Sequence, residues 1–185
     1  MKIVLDIGCG HAKLKPKPDE KVIGIDSIKQ KSVDIVHDLE KKLPFKNNSV
    51  NRVYSNHTFE HVKNAKQLVE ECWRITKNTG EIYIRVPHYS STGMYTDLTH
   101  KTFFSSRSLD YYINGTYLST MSGYSSKIRF KVIKKHIFFD IPYKLIGWVV
   151  NLSDKTRKVY EYFFCWIFPA QDIVFIVQPI KKKSK

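Results

Sequence analysis

Residues 2–10, Lys-Ile-Val-Leu-Asp-Ile-Gly-Cys-Gly, decide the fold. Six residues of mostly apolar character, with an acid at the fifth, run into two glycines. That is a buried parallel strand, Lys2–Ile7, meeting a tight turn. The same grammar repeats downstream. Val22–Ile25 is closed by Asp26, and Val33–His37 by Asp38. Val50–Tyr54 reads as a fourth strand, and Glu81–Val86 as a fifth that Pro87 stops.

Between the fourth and fifth strands the period changes from two to 3.6. Val62, Ala65, Leu68, Val69, Cys72, Trp73 and Thr76 share one helical face, with Lys63, Lys66, Glu70, Arg74 and Lys77 opposite. Thr58 is the expected N-cap and Gly80 the expected left-handed stop. After Pro87 the pattern loosens into a Ser-, Thr- and Tyr-rich stretch with a short helix near residues 105–113. Lys127–Phe139 then reads as a strand, residues 143–151 and 155–167 as helices, and Ile173–Val177 as the last strand. The expectation is an α/β chain: a Rossmann-like doubly wound sheet, mostly parallel, with an antiparallel C-terminal strand. Residues 1–185 form one domain, with a cofactor-binding core at 1–87, an acceptor-side loop region at 88–126 and an aromatic helical insertion at 137–170.

Open sheets of this kind bind ligands beyond the C-terminal ends of their strands. Gly8 and Gly10 let backbone approach a ligand closely. Asp6 can either accept from an ammonium group or orient the loop. Asp26 lies 16 residues after Gly10, where an acid can take both hydroxyls of a ribose. Asp38 can accept from an adenine amino group while Leu39 packs on the ring. A nicotinamide cofactor would require a third glycine where Lys13 stands.

The ordered set resembles the class I S-adenosylmethionine-dependent methyltransferases, in particular the small type 11 enzymes. LDIGCG (5–10) resembles their first motif, GID (24–26) their second, and HDL (37–39) their adenine-contacting acid. LPFKNNSVNRVYSNHTFEHV (43–62), RITKNTGEIYIRVP (74–87) and PHYSSTGMYTDLTHKTFFSSRSLDYY (87–112) resemble their later segments. The likeness covers residues 1–113. It implies S-adenosylmethionine as cofactor, with Asp6, Gly8, Cys9 and Gly10 at the methionine end. It also implies Asp26 at the ribose, Asp38 and Leu39 at the adenine, and Asn56 and His57 beside the sulfonium. The chain departs from the family in starting at the first strand, without the usual N-terminal capping helices, and in having Ala12 where a third glycine commonly falls.

Methyl transfer to a hydroxyl needs a close acceptor and a group to take its proton. Histidine suits that task near neutral pH. His88, directly after the fifth strand, is the first candidate. His100 with Asp97, and His61, form the second group. No spacing rule singles out a metal, so none is expected. The acceptor that the resemblance implies is a hydroxyl on a glycan, a lipid-linked envelope precursor or a small molecule. The alternatives are an RNA-directed methyltransferase and a non-catalytic cofactor-binding subunit.

Charge and composition bound the partners. The chain of 185 residues carries 31 basic and 17 acidic side chains, a net of +14. Residues 1–100 hold 16 basic and 12 acidic groups, whereas residues 101–185 hold 15 and 5. Of the 25 Phe, Tyr and Trp residues, 18 follow residue 100. The basic, aromatic half fits an anionic membrane surface, with a homodimer contact as another use and nucleic acid ranked behind. Three scattered cysteines, Cys9, Cys72 and Cys165, read as free thiols of a reducing compartment. The expected location is cytoplasmic, peripheral at the membrane if that surface is used.

Overall fold

A computed structural model describes residues 1–121 and 128–181. Lys127 and the end of the terminal KKKSK run lie outside the described residues, as do residues 122–126 of the acceptor-side region. Seven strands form one sheet: β1 (Lys2–Ile7), β2 (Glu20–Asp26), β3 (Ile35–Val36), β4 (Val50–Asn56), β5 (Thr76–Pro87), β6 (Arg129–Phe138) and β7 (Asp172–Ile180). Their order is β3-β2-β1-β4-β5-β7-β6. β7 runs antiparallel to both β5 and β6, and the remaining pairs are parallel. This is the Rossmann-like, mostly parallel sheet expected, with the antiparallel strand near the C-terminus.

Burial follows the two-residue period of the strands. Leu5, Ile7, Ile25, Val53, Ile82, Ile84, Phe175 and Val177 meet in one apolar core. α1 (Ala65–Ile75) packs Leu68, Val69, Cys72 and Ile75 onto that core. Each such side chain contributes roughly 1.5–3 kcal/mol through burial. α4 (Lys144–Val150) and α5 (Asp154–Phe163) lie between β6 and β7, while α2 (Thr92–Thr96) and α3 (Tyr117–Thr120) punctuate the segment after β5. The opposite sheet face carries Tyr54 stacked on Tyr83, ring centres 4.8 Å apart, with both rings half-buried.

Three local expectations are corrected. Thr58 does not cap α1. Its hydroxyl donates to the carbonyl of Ile7, tying the end of β1 to a 3-10 turn at Phe59–His61, and Asn64 caps α1 by accepting from Gln67 N. Gly80 is no helix stop, because α1 ends at Ile75 and β5 begins at Thr76. A Cβ on Gly80 would sit 2.7 Å from the carbonyl oxygen of Asn51, so close strand approach explains this glycine. Near residues 105–113 the structure has only a 3-10 turn, Asp110–Tyr112.

Candidate functional site

The strand ends converge on the turn after β1. Gly8 N and Cys9 N donate to Ile25 O at 2.8 and 3.4 Å, docking the turn onto β2. Gly8 (φ 69°) and Gly10 (φ 46°) both adopt left-handed backbone. They differ in surroundings. A Cβ at Gly8 would fall 2.1 Å from Thr58 Oγ1, whereas one at Gly10 would meet nothing within 4 Å. The first glycine is needed for packing, and the second leaves its backbone open.

The acids hold this turn in shape. Asp6, at the end of β1, accepts from Leu14 N at 2.7 Å, so it orients the loop. Burial raises its pKa, and the Leu14 hydrogen bond opposes that shift. Asp26 accepts from Gly10 N at 2.9 Å and from Ile28 N at 3.0 Å, one bond on each oxygen. Each oxygen keeps a lone pair for a hydroxyl donor. Asp38 is exposed and accepts from Glu40 N at 2.9 Å. Leu39 is buried and belongs to the core. Cys9 is buried too, and desolvation pushes its thiol up to about 11, so it fills space and stays protonated. A Cβ at Gly24 would sit 2.7 Å from its sulfur, which accounts for the glycine of the second motif.

A cleft of about 340 Å³ opens in front of this turn, lined in part by Asp6, Gly8, Cys9, Tyr54 and Asn56. Open glycine backbone, an acid with spare acceptor capacity and a nearby cleft suit a cationic, hydroxyl-bearing ligand. Those features fit S-adenosylmethionine.

The other side of the site is built on the end of β4. Asn56 is exposed. His57 has φ 53°, a strained value for a residue with a side chain. Its Nδ1 lies 3.2 Å from Glu60 Oε1 and its Nε2 3.6 Å from Asp172 Oδ2. The carboxylates of Asp172 and then Glu60 push its pKa up to about 9. Burial alone would raise Asp172, yet the neighbouring His57 and Arg85 outweigh it and lower the carboxyl. Two cations and two carboxylates thus balance at the end of β4.

Loop residues 97–102 dock on the turn that follows. Lys101 N and Thr102 N both donate to Glu60 O. His61 Nδ1 is 2.8 Å from Thr99 Oγ1, which donates to Asp97 Oδ1 at 2.7 Å. His100 Nδ1 lies 3.0 Å from Met94 O. The His61 and His100 rings meet edge to face at 4.7 Å. So His61, His100 and Asp97 do come together.

His88 sits elsewhere. It is 0% exposed, with Nδ1 2.8 Å from Ser90 Oγ and Nε2 3.3 Å from Glu161 Oε1. Glu161 on α5 also accepts from Ser106 Oγ at 2.9 Å. His88 therefore joins the end of β5 to α5 and presents no surface to an acceptor in this arrangement. Sequence reasoning missed Glu161, Arg85 and Asp172. Glu161 was visible as the lone acid within the aromatic run 160–168. Asp172 becomes visible only through register, which pairs it with Pro87 at the end of β5.

Residues 5–84 match the model of a methyltransferase domain family, the type 11 methyltransferases. No curated protein matches the chain. Among solved structures, the chain is similar to an S-adenosylmethionine-dependent methyltransferase from Archaeoglobus fulgidus, at 18% identity and TM-score 0.54, over 96% of this chain and 86% of that one. It is also similar to geranyl diphosphate C-methyltransferase from Streptomyces coelicolor, solved with Mg2+, geranyl diphosphate and S-adenosyl-L-homocysteine. That match has 15% identity and TM-score 0.57, over 97% of this chain and 74% of that one. A third likeness is to an S-adenosylmethionine-dependent methyltransferase from Aquifex aeolicus, at 13% identity and TM-score 0.52, over 97% and 82%. The structural likenesses establish the fold. The domain match bears out the methyltransferase resemblance and S-adenosylmethionine as the cofactor.

Proposed function

From a chain that carries a class I, type 11 methyltransferase domain over residues 5–84, we propose an O-methyltransferase that acts on a hydroxyl of a lipid-linked acceptor at an anionic membrane surface. The cofactor supplies an electrophilic methyl group. Gly8, Cys9 and Gly10 hold its methionine end, Asp26 its ribose, and Asp38 with Leu39 its adenine. Asn56 and His57 flank the sulfonium, where the balanced charges of His57, Arg85, Glu60 and Asp172 leave little net field against a cation. The acceptor enters over Asn56 toward His61, His100 and Asp97, which take its proton. His88 acts as a positioning residue, through Glu161, on the helix that borders this entry.

The observation that carries the acceptor class is the outer surface of α4 and α5. Leu145 is 77% exposed, Trp148 79% and Trp166 68%, with Ile141, Val149, Leu152, Tyr162 and Phe163 exposed around them. A patch of this kind marks an interaction site. Lys144, Lys155 and Lys158 stand exposed beside it, and Lys158 lies over the Tyr162 ring at 5.8 Å. Exposed Trp and Tyr ringed by lysine match the interfacial zone of an anionic bilayer. The patch is tied to the segment that follows β5, because Tyr89 donates to Glu161 O at 2.8 Å and its ring meets Trp166 at 5.8 Å.

Flotation with phosphatidylglycerol-containing vesicles tests this. The chain should float with the anionic vesicles and remain behind with neutral ones. A Trp148→Ala/Trp166→Ala variant should lose flotation while keeping its melting temperature. No flotation with a dimer in solution would assign the patch to a second copy and overturn the membrane reading.

A further inference from the structure

We infer that Glu60, His61 and His100 form a binding site for a divalent transition-metal ion of the zinc type. Each of the three offers one ligand atom, and these atoms lie within 4.8 Å of one another. A zinc ion bound at about 2.0–2.2 Å needs its ligand atoms roughly 3.4 Å apart, so modest side-chain rotations close the set.

Two independent features point to a ligand. The first is the tautomer of each ring. Met94 O can only accept, so His100 Nδ1 carries the proton. Thr99 spends its hydroxyl hydrogen on Asp97, so it accepts from His61 Nδ1–H. Both Nε2 atoms are thereby left with lone pairs. An imidazole that donates its other nitrogen to a carbonyl or polar oxygen is the usual arrangement of a metal-binding histidine. The second is Glu60, which is 0% exposed. Its Oε1 is taken by His57, and its Oε2 has no hydrogen-bond partner among the described residues. A buried carboxylate oxygen left unpaired costs about 1–3 kcal/mol or more, and a cation removes that cost.

Two imidazole nitrogens, borderline donors, beside one hard carboxylate oxygen suit zinc, iron or nickel over magnesium or calcium. Three protein ligands leave a further coordination position open. Asp97 Oδ2 lies 3.8 Å from His100 Nε2, at the edge of the set. With an ion bound, His61 and His100 serve as ligands and Asp97 is the group left to take a proton. That last use rests on the O-methylation reading, whereas ion binding does not.

Cobalt(II) titration of the full chain, followed by visible absorption, tests the site without reference to turnover. The expected result is one Co2+ per chain, with the intense bands of low coordination number, displaced by Zn2+. His100→Ala and Glu60→Gln should each weaken binding by about tenfold or more, and Thr99→Ala should weaken it less while keeping the band shape. If Glu60→Gln does not fold, His61→Gln, at a partly exposed position, reads the same loss. A spectrum absent in the wild type, or unchanged in the folded ligand variants, would overturn the site. Cofactor binding measured on the same samples separates this outcome from failure of the methyltransferase reading.

Discussion

Gly8 and Gly10 make the same backbone demand in different surroundings, and substitution separates them. At Gly8 an alanine meets Thr58 at 2.1 Å and also a left-handed φ of 69°. Overpacking costs about 1–3 kcal/mol and the left-handed backbone about 1–2 kcal/mol. Gly8→Ala should therefore lower chemical-denaturation stability by roughly 2–5 kcal/mol. Gly10→Ala faces only the backbone cost, so its stability loss should stay within about 1–2 kcal/mol. Its effect should fall on cofactor affinity, read by calorimetry, because the added methyl occupies the open side. Asp26→Asn tests the ribose contact. A hydrogen bond to a charged acceptor is worth about 1.5–3 kcal/mol, so affinity should drop about tenfold or more. These residues were legible in the sequence because each is a polar or glycine punctuation mark after an apolar run. Glu60 was legible only in part. Two residues after Thr58, the expected N-cap, an acid is sufficiently explained by the helix dipole, but the turn is a separate 3-10 piece that buries the carboxylate.

The strands were readable because burial on a sheet writes a short apolar run closed by a turn. Helix α1 was readable in its body and misread at both ends. Thr58 is spent on β1, and Gly80 on the approach of β5 to β4, tertiary demands that no local pattern records. The place of α5 is likewise a tertiary fact. It hangs on Glu161, which joins His88 and Ser106. Glu161→Ala leaves both partners unpaired in a buried setting, at about 1–3 kcal/mol each. His88→Ala removes part of the same network, so the double variant should lose less stability than the sum of the singles. Full additivity in that double-mutant cycle would mean that His88 and Glu161 do not act together. It would also free His88 for a role at the acceptor.

At the scale of the molecule, charge and apolar surface divide the work. The first 100 residues are near balance, and the four charges around Asp172 cancel locally. The excess positive charge and the exposed aromatic side chains belong to the second half. Vesicle binding should accordingly weaken with salt but persist in part, since screening removes attraction between charges and leaves apolar insertion. A steep loss of binding with salt, together with affinity for single-stranded RNA, would instead favour the nucleic-acid alternative. S-adenosylmethionine binding by the first half is read by calorimetric titration into the full chain. One molecule should bind per chain, with affinity reduced in Asp26→Asn and Gly10→Ala while both variants remain folded. No binding at millimolar cofactor by a folded chain would contradict the cofactor assignment.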